Sequence, residues 1–270
     1  MNRLWLTYLL ASSYALVLLL PLLVLLSASL RRPEDLFLPG LLPPELSLEG
    51  YRIALTEYNL LRPLFNSLLV ASLTTLGVLF TSLLAGYALA RIPFFGQRFF
   101  FGLAVALLLV PGELTFLPLY LLINRLGWLD SYPALILPFI ASPLGVFLIR
   151  QHIRTIPLDY FDAARIDGAG HPGLLRHVAL PLARPALGAL AALTFLSSWN
   201  MYLWPLVVTQ SREMQTAQIA LQYALNEADG VARWHVVAAL SFLVLLPTLL
   251  AFLLAQRSFI RGLSLGGLKG

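Results

Sequence analysis

The chain has 270 residues, of which 59% are hydrophobic and only 11% are charged. A soluble domain carries about a quarter charged residues, so this composition excludes a water-covered surface and predicts a membrane protein. The absence of cysteine excludes a disulfide framework, a thiolate nucleophile and a cysteine-based metal site. The formal net charge of +5 could suggest a nucleic-acid partner, but membrane topology explains it better.

Six apolar stretches are long enough to cross a bilayer, whose core of roughly 30 Å needs about 20 residues in a helix. These runs do not alternate with a period of two, which favours helices over barrel strands and predicts an all-α membrane protein. The predicted helices span residues 6–30, 64–90, 99–123, 132–149, 186–208 and 236–255. The first stretch also resembles a signal peptide, but it is longer than the usual apolar region of about 7–15 residues.

The charge of the connecting segments predicts the orientation of these helices, because basic residues stay on the cytoplasmic side. If both termini are cytoplasmic, the inner segments hold eleven basic and three acidic residues. The outer segments, including the proline-rich loop 31–63, then hold seven basic and nine acidic residues. This asymmetry predicts that both termini lie in the cytoplasm.

The longest polar stretch on the predicted cytoplasmic side is 150–185, and long connections are usually functional. Pro157 suits the first turn of a helix, and Gly168 stands where a left-handed helix end is wanted. A helix is therefore predicted from Pro157 to the residue before Gly168. Pro172 can start a second short helix, which Pro181 is expected to stop.

Small and charged side chains share the first of these two short helices. Ala163 and Ala164 have small side chains, so that the surface of another protein can approach the helix closely on that face. Asp162, Arg165 and Asp167 supply charges around that face. From the residues alone, a solvated loop without a partner fits as well as a docking surface.

The same stretch resembles the signature loop of binding-protein-dependent ABC importer permeases. That pattern is Glu-Ala-Ala, three residues on an Asp-Gly-Ala, and further along an aliphatic-x-Leu-Pro. The matching positions are Asp162, Ala163, Ala164, Asp167, Gly168, Ala169, Val178, Leu180 and Pro181. Asp162 replaces the usual Glu and Val178 the commoner Ile, and both changes keep charge or shape.

The resemblance covers nearly the whole chain and is closest to MalG-type carbohydrate permeases. Asn66-Ser67, the segment 111–120 and the ending 262–270 also look like theirs. It implies a type I ABC importer permease fold in the cytoplasmic membrane. In this family the signature loop forms coupling helices that dock into a groove on the ATPase subunit. The matched residues, including Leu180 and Pro181, are therefore expected to couple this chain to an ATPase.

The implied partners are a second, MalF-like permease, two ATP-binding subunits, an extracytoplasmic solute-binding protein and a sugar. A phosphate-binding loop would need G-x-x-x-x-G-K-[ST]. The closest approach runs from Gly262 to Gly267, but Leu268 follows it, and neither Ser nor Thr follows Lys269. We therefore expect no catalytic residue, cofactor or metal on this chain, with ATP and magnesium on the partner ATPase.

Two places in the predicted spans carry polar groups that could line a transport path. Glu113 is the only acid inside a span, and such groups often face a pathway; it could also be protonated or tied to the backbone at a kink. Trp199 and Asn200 suit stacking on a sugar and hydrogen bonding to its hydroxyls. They also suit hydrogen bonds between packed helices, and this plainer interpretation is favoured.

The main hypothesis is a permease subunit for a sugar or oligosaccharide, and the nearest alternative is the same machine carrying glycerol phosphate or a polyol. An ion-coupled secondary transporter would show paired intramembrane charges and internal repeats, and the sequence shows neither. An intramembrane metalloprotease would need H-E-x-x-H, which is absent. His152, His171 and His177 match no zinc-binding spacing and are interpreted as solvated loop residues.

Overall fold

The computed structural model describes residues 2–227 and 233–267. Within this part of the chain the regular structure is helical and there is no strand. Four of the described helices are long and apolar enough to cross a membrane, and the number rises to six if each of two bent helix pairs is one span. The predicted all-α membrane fold is confirmed. Of the ending 262–270, which resembles that of MalG-type permeases, residues 268–270 lie outside the described residues.

The helices are named in chain order. They are α1 (Asn2–Ser29), α2 (Glu49–Thr56), α3 (Leu61–Arg91), α4 (Gln97–Leu107), α5 (Gly112–Arg125), α6 (Tyr132–Ile136), α7 (Pro143–Thr155), α8 (Leu158–Ile166), α9 (His171–Leu174), α10 (Leu180–Trp199), α11 (Leu203–Val208), α12 (Ala217–Glu227) and α13 (Trp234–Gly267). Shorter turns are three 3₁₀ turns at Pro33–Asp35, Leu137–Phe139 and Arg212–Met214, and a π-helical turn at Leu175–Ala179.

The chain divides into two compact units, and the first comprises Met1–Phe65 and Thr216–Pro247. Its core is formed by α2, α12 and the first part of α13, with buried side chains such as Ala54, Ala220 and Leu240. The most apolar stretch of α1 buries none of its residues within this chain. A helix this apolar must be covered by lipid or by another chain.

A buried arginine organises the loop that follows α1. The guanidinium of Arg31 donates hydrogen bonds to the main-chain oxygens of Asp35 at 3.0 Å, Leu38 at 2.6 Å and Gly40. A buried charge is tolerated only when it is hydrogen-bonded. The carbonyl groups of the loop therefore fold around a single cation.

The second unit comprises Asn66–Gln215 and Thr248–Gly270. Small residues let its helices approach closely, as is common between membrane helices. A Cβ on Gly145 of α7 would lie 2.2 Å from Oγ of Ser82 in α3. A Cβ on Gly77 of α3 would lie 2.6 Å from Cγ2 of Ile140. These glycines fix how closely α3 packs against α7 and the turn before it.

The predicted span 99–123 is not one straight helix. It is interrupted at 108–111, where α4 and α5 meet at 101°. Pro111 has no N–H to continue the ladder, its backbone is extended at φ −59° and ψ 134°, and the residue before a proline avoids helical geometry. Hydropathy does not register the break, because Leu108, Leu109 and Val110 are as apolar as the helices around them.

The predicted span 132–149 is also bent, by 40°, at a break before Pro143. Oγ of Ser142 accepts a hydrogen bond from the amide of Gly145 at 3.0 Å. This cap and the proline in the first turn start α7 as a separate helix. The same helix runs on to Thr155, so the polar stretch 150–185 begins inside a helix rather than in a loop.

Pro181 does not stop a helix as predicted. It stands in the first turn of α10, where no N–H is required. In the preceding π-helical turn, the amide of Leu180 donates to the main-chain oxygen of Leu175. The wider turn lets the chain pass from α9 to α10 without an interruption. The predicted span 186–208 therefore begins earlier, at Leu180, and ends at Trp199, with α11 as a separate helix.

Candidate functional site

The segment 157–181, called here the paired-helix segment, folds as a helix, a glycine turn and a second short helix. Pro157 is the extended residue before α8. Gly168 ends the helix at φ +85°, where a side chain would be strained. The amide of Ala169 donates to the main-chain oxygen of Ala164 at 2.9 Å, which satisfies one free carbonyl at the helix end. The predicted helix and its glycine end are both present.

One face of the paired-helix segment is fixed to the body of the second unit. Phe161 of α8 is 1% exposed, and Ala164 and Ala169 pack at the edge of the same cluster. The cluster joins α8 to α3, α7, α9, the π-helical turn and α10; its buried members are Val78, Tyr87, Ile149, Ile153, Ile156, Phe161, Leu174, Val178, Ala179 and Leu190. A displacement of α8 would therefore be transmitted to several long helices at once, because a close-packed cluster transmits strain.

The rest of α8 is uncovered in this chain and mixes apolar and charged side chains. Leu158, Tyr160 and Ile166 are exposed, Ile166 to 87%. Beside them, Nη1 of Arg165 donates to Oδ1 of Asp162 at 2.8 Å, and this ion pair is half exposed. Apolar side chains next to polar groups are the composition of a protein-docking surface.

The other predicted residues of the segment take different positions. Ala163 is exposed, and so is Asp167, the residue that directly follows α8. Leu180 and Pro181 are half-buried at the beginning of α10. The structure thus brings Ala164 and Ala169 to the buried face, and Asp162 and Ala163 to the exposed face.

A contact that the sequence did not indicate ties the second short helix to α3. Oη of Tyr87 lies 3.2 Å from Nδ1 of His171, with the rings edge to face at 6.2 Å. Because Tyr87 and His171 are far apart in sequence, no local pattern could have predicted this pair. His171 was interpreted as a solvated loop residue; it is exposed, yet it has this partner.

The predicted path residue Glu113 lies exposed in the first turn of α5, directly after the break at 108–111. A carboxylate at this position is stabilised by the positive end of the helix dipole. No group of three or more His, Cys, Asp or Glu side chains in the described part of the chain could hold a metal ion.

Trp199 is the last residue of α10 and Asn200 follows it, and the two side chains lie in different surroundings. Trp199 is 1% exposed, and its ring stacks on Phe195 with centroids 6.1 Å apart. Asn200 is exposed, and its Nδ2 donates to the main-chain oxygen of Leu196 at 2.9 Å. Glu113 and Asn200 therefore lie at the surface of this chain, whereas Trp199 belongs to its core.

Asn66 belongs to the Asn66-Ser67 pair that resembles MalG-type permeases, and its side chain connects several elements of the second unit. Its side chain is fully buried, and Nδ2 donates to the main-chain oxygens of Glu213 at 2.7 Å and Gln215 at 2.8 Å. Its Oδ1 accepts a hydrogen bond from the hydroxyl of Tyr132 at 2.8 Å. One amide thus joins α3 to α6 and to the turn after α11.

Asp130 and Trp204 strengthen the same region. Burial raises the pKa of Asp130, but hydrogen bonds from the backbone amides of Ser211 and Gln210 to Oδ1 outweigh it and lower that pKa overall. Nε1 of Trp204 donates to the main-chain oxygen of Ala134 at 2.9 Å. The turn before α6 therefore holds the segment after α11, and α6 holds α11 itself.

The family model described as "Binding-protein-dependent transport system inner membrane component" matches residues 77–260. The arabinooligosaccharides transport system permease protein AraQ of Bacillus subtilis (strain 168) is 37% identical over 261 residues, which are 95% of this chain and 92% of AraQ. The sn-glycerol-3-phosphate transport system permease protein UgpE of Brucella abortus (strain 2308) is 36% identical over 231 residues, covering 83% and 82% of the two chains.

A solved structure has a similar fold. It is described as the crystal structure of a bacterial ABC transporter involved in the import of the acidic polysaccharide alginate. The TM-score is 0.85, with 95% of this chain and 96% of that chain covered, at 22% sequence identity. At this identity the match concerns the fold alone.

Proposed function

This chain belongs to the family of binding-protein-dependent transport system inner membrane components, and we propose that it carries a sugar or oligosaccharide across the membrane. It is a permease subunit of an ABC importer and a multi-pass protein of the inner membrane. It is a transport component rather than an enzyme. ATP hydrolysis, with its magnesium ion, takes place on separate subunits in this proposal.

The observation that carries the proposal is the two-sided construction of α8. Leu158, Tyr160 and Ile166 are exposed apolar side chains of α8 that a groove on another protein would cover. Phe161 on its buried face fixes the helix to the cluster shared with α7 and α10. A helix that is docked on one side and embedded on the other can pass on movement.

The proposed mechanism follows from that arrangement. ATP binding closes the pair of ATP-binding subunits, and their surfaces carry α8 with them. Because α8 shares its buried cluster with α3, α7 and α10, these helices rotate together rather than singly. Their rotation opens and closes the path for the solute. The further partners in this proposal are a MalF-like second permease and an extracytoplasmic solute-binding protein.

A sugar cargo is supported by the AraQ relative and by the exposed groups of this chain. Asn200 offers an amide to sugar hydroxyls, and Glu113 can accept hydrogen bonds from them. The UgpE relative favours glycerol phosphate as the second candidate, but a carboxylate at Glu113 would repel a phosphate. Competition between arabinotriose and glycerol 3-phosphate for uptake would separate the two cargoes.

The orientation of the chain tests the proposed function directly, and the absence of native cysteine makes the experiment clean. Single-cysteine variants Ile166→Cys and Leu42→Cys place a thiol at two highly exposed positions, one on α8 and one in the predicted outer loop. In intact cells, a membrane-impermeant maleimide is expected to label Leu42→Cys. It should label Ile166→Cys only after the membrane is permeabilised. Labelling of Ile166→Cys from outside would place α8 away from any ATPase and end the proposal.

A further inference from the structure

Two arginines exchange hydrogen bonds between the ends of α3 and α7. Arg91, the last residue of α3, donates through Nη2 to the main-chain oxygen of Ile153 at 2.9 Å and to that of Ile156. Arg150 of α7 donates through Nε to the main-chain oxygen of Leu89 at 3.1 Å, in the last turn of α3. Each cation thus meets carbonyl groups near the C-terminal end of the other helix, where the helix dipole favours positive charge.

Each guanidinium also lies over an aromatic ring from a third helix. The Cζ atom of Arg91 is 4.3 Å from the centroid of Phe161 in α8. The Cζ atom of Arg150 is 3.5 Å from the centroid of Phe101 in α4. Such cation–π contacts are attractive, and more so away from water. The two arginines therefore connect α3, α4, α7 and α8, and we call this arrangement the arginine clasp.

A glycine in α3 lets α3 and α7 approach closely enough for these hydrogen bonds. A Cβ on Gly86 of α3 would lie 2.9 Å from Cγ2 of Ile149 and 3.0 Å from the amide nitrogen of Arg150. The two helices therefore touch within one turn of the clasp. Neither Arg91 nor Arg150 forms an ion pair with a carboxylate in the described part of the chain. The geometry of carbonyls and rings holds both cations in place.

Arg91 spans the junction between α7 and α8. Ile153 and Ile156 lie before the extended Pro157, and Phe161 lies after it. A guanidinium that holds both sides of this junction fixes the angle between the helices. Lysine would replace this only in part, because its ammonium can donate to carbonyls but lacks the planar guanidinium that stacks on the ring of Phe161 while Nη2 donates to both carbonyls.

We propose that the arginine clasp is the joint through which movement of α8 reaches α3 and α7, with Arg91 as the positioning residue. This inference rests on the proposed function, since it assumes that α8 is moved by an ATP-binding subunit. Without the clasp, α8 yields at Pro157, and ATP is hydrolysed without moving the membrane helices. Arg91 touches neither solute nor nucleotide; it acts through Phe161 and the end of α7.

The test compares three variants in the complete importer, reconstituted in proteoliposomes. Arg91→Ala removes the guanidinium, and Arg91→Lys keeps the charge but lacks the planar group that stacks on Phe161. Arg98→Ala, at an exposed arginine outside the clasp, is the matched control. Two quantities are measured: the amount of labelled arabinotriose taken up per ATP hydrolysed, and hydrogen–deuterium exchange in peptides covering 153–167.

We expect Arg91→Ala to lower uptake per ATP at least about tenfold and to speed exchange over 153–167 at least about tenfold, because it removes two charged hydrogen bonds and a cation–π contact. Arg91→Lys should fall between wild type and Arg91→Ala in both measurements, and Arg98→Ala should match the wild type. A loss of stability alone would lower uptake and hydrolysis in parallel and leave their ratio unchanged, which would overturn the proposal. Wild-type values in Arg91→Lys would overturn it as well, even if Arg91→Ala failed to assemble.

The exchange measurement separates this inference from the proposed function. If the wild-type importer takes up no arabinotriose, the sugar proposal fails, and the exchange rates in the two Arg91 variants still decide on the clasp. If the rates over 153–167 are unchanged in both variants, Arg91 does not hold α8, whatever the cargo.

Discussion

An importer carrying Ala164→Pro is expected to lose its transport while its subunits still assemble. Ala164 lies in the second half of α8, where its amide belongs to the helical hydrogen-bond ladder. A proline there removes that bond and clashes with the carbonyl four residues earlier, which costs about 3 kcal/mol or more. The exposed side chains Leu158, Tyr160 and Ile166 would then no longer be held by one rigid helix. Uptake of labelled arabinotriose and ATP hydrolysis, measured in the same proteoliposomes, check this result.

Ala164→Ser is the matched control, because it keeps the backbone amide and adds a single small atom. It should transport at nearly the wild-type rate. The main-chain oxygen of Ala164 accepts a hydrogen bond from Ala169, so Ala164→Pro should also loosen the turn at Gly168. Full-speed transport by Ala164→Pro would mean that α8 carries no force, and the proposed coupling would be abandoned.

The second large effect is expected at the contact between α7 and α3. Gly145→Ala would place its Cβ 2.2 Å from Oγ and 3.1 Å from Cβ of the buried Ser82, and 3.2 Å from Cδ2 of Leu190. Overpacking of this kind costs about 1–3 kcal/mol, because neither helix can move without disturbing its other contacts. The midpoint of thermal unfolding of the purified importer should fall clearly, and less folded protein should be recovered.

Two further variants isolate the cause of that loss. Gly102→Ala adds the same methyl group to α4, where nothing lies within 4 Å, and it should leave stability unchanged or raise it, since alanine favours a helix by about 1 kcal/mol over glycine. The double variant Ser82→Gly/Gly145→Ala removes the clashing atoms and should recover much of the lost stability. If it is no more stable than Gly145→Ala alone, the close approach at Ser82 is not the cause.

The sequence predicts those features that arise from neighbouring residues. Long apolar runs gave the positions of the spans, and the order of Pro157, Gly168 and Pro172 gave the two short helices of the paired-helix segment. Gly168 does adopt the left-handed conformation that its position predicted. These signals are local, because helix ends depend on the residues within one turn.

The features that were missed depend on contacts between distant parts of the chain or on small differences between helix types. The arginine clasp joins Arg91 to residues of α7 and α8 that lie more than sixty positions away. Pro181 was read as a helix stop, because a π-helical turn that accommodates it has no clear sequence signature. The residue type of Trp199 suits a sugar site as well as a packed core, so the sequence could not show that its ring stacks on Phe195 inside the chain.

In the proposed importer, an ATP-binding subunit acts on this chain at the exposed side chains of α8. This contact can be trapped in the assembled importer with a short thiol-to-amine crosslinker on the variant Ile166→Cys, with Leu42→Cys as control. We expect Ile166→Cys to be joined to an ATP-binding subunit, in a yield that changes when ATP is added, and Leu42→Cys to remain unjoined. If Leu42→Cys but not Ile166→Cys is crosslinked to that subunit, α8 is not the docking site.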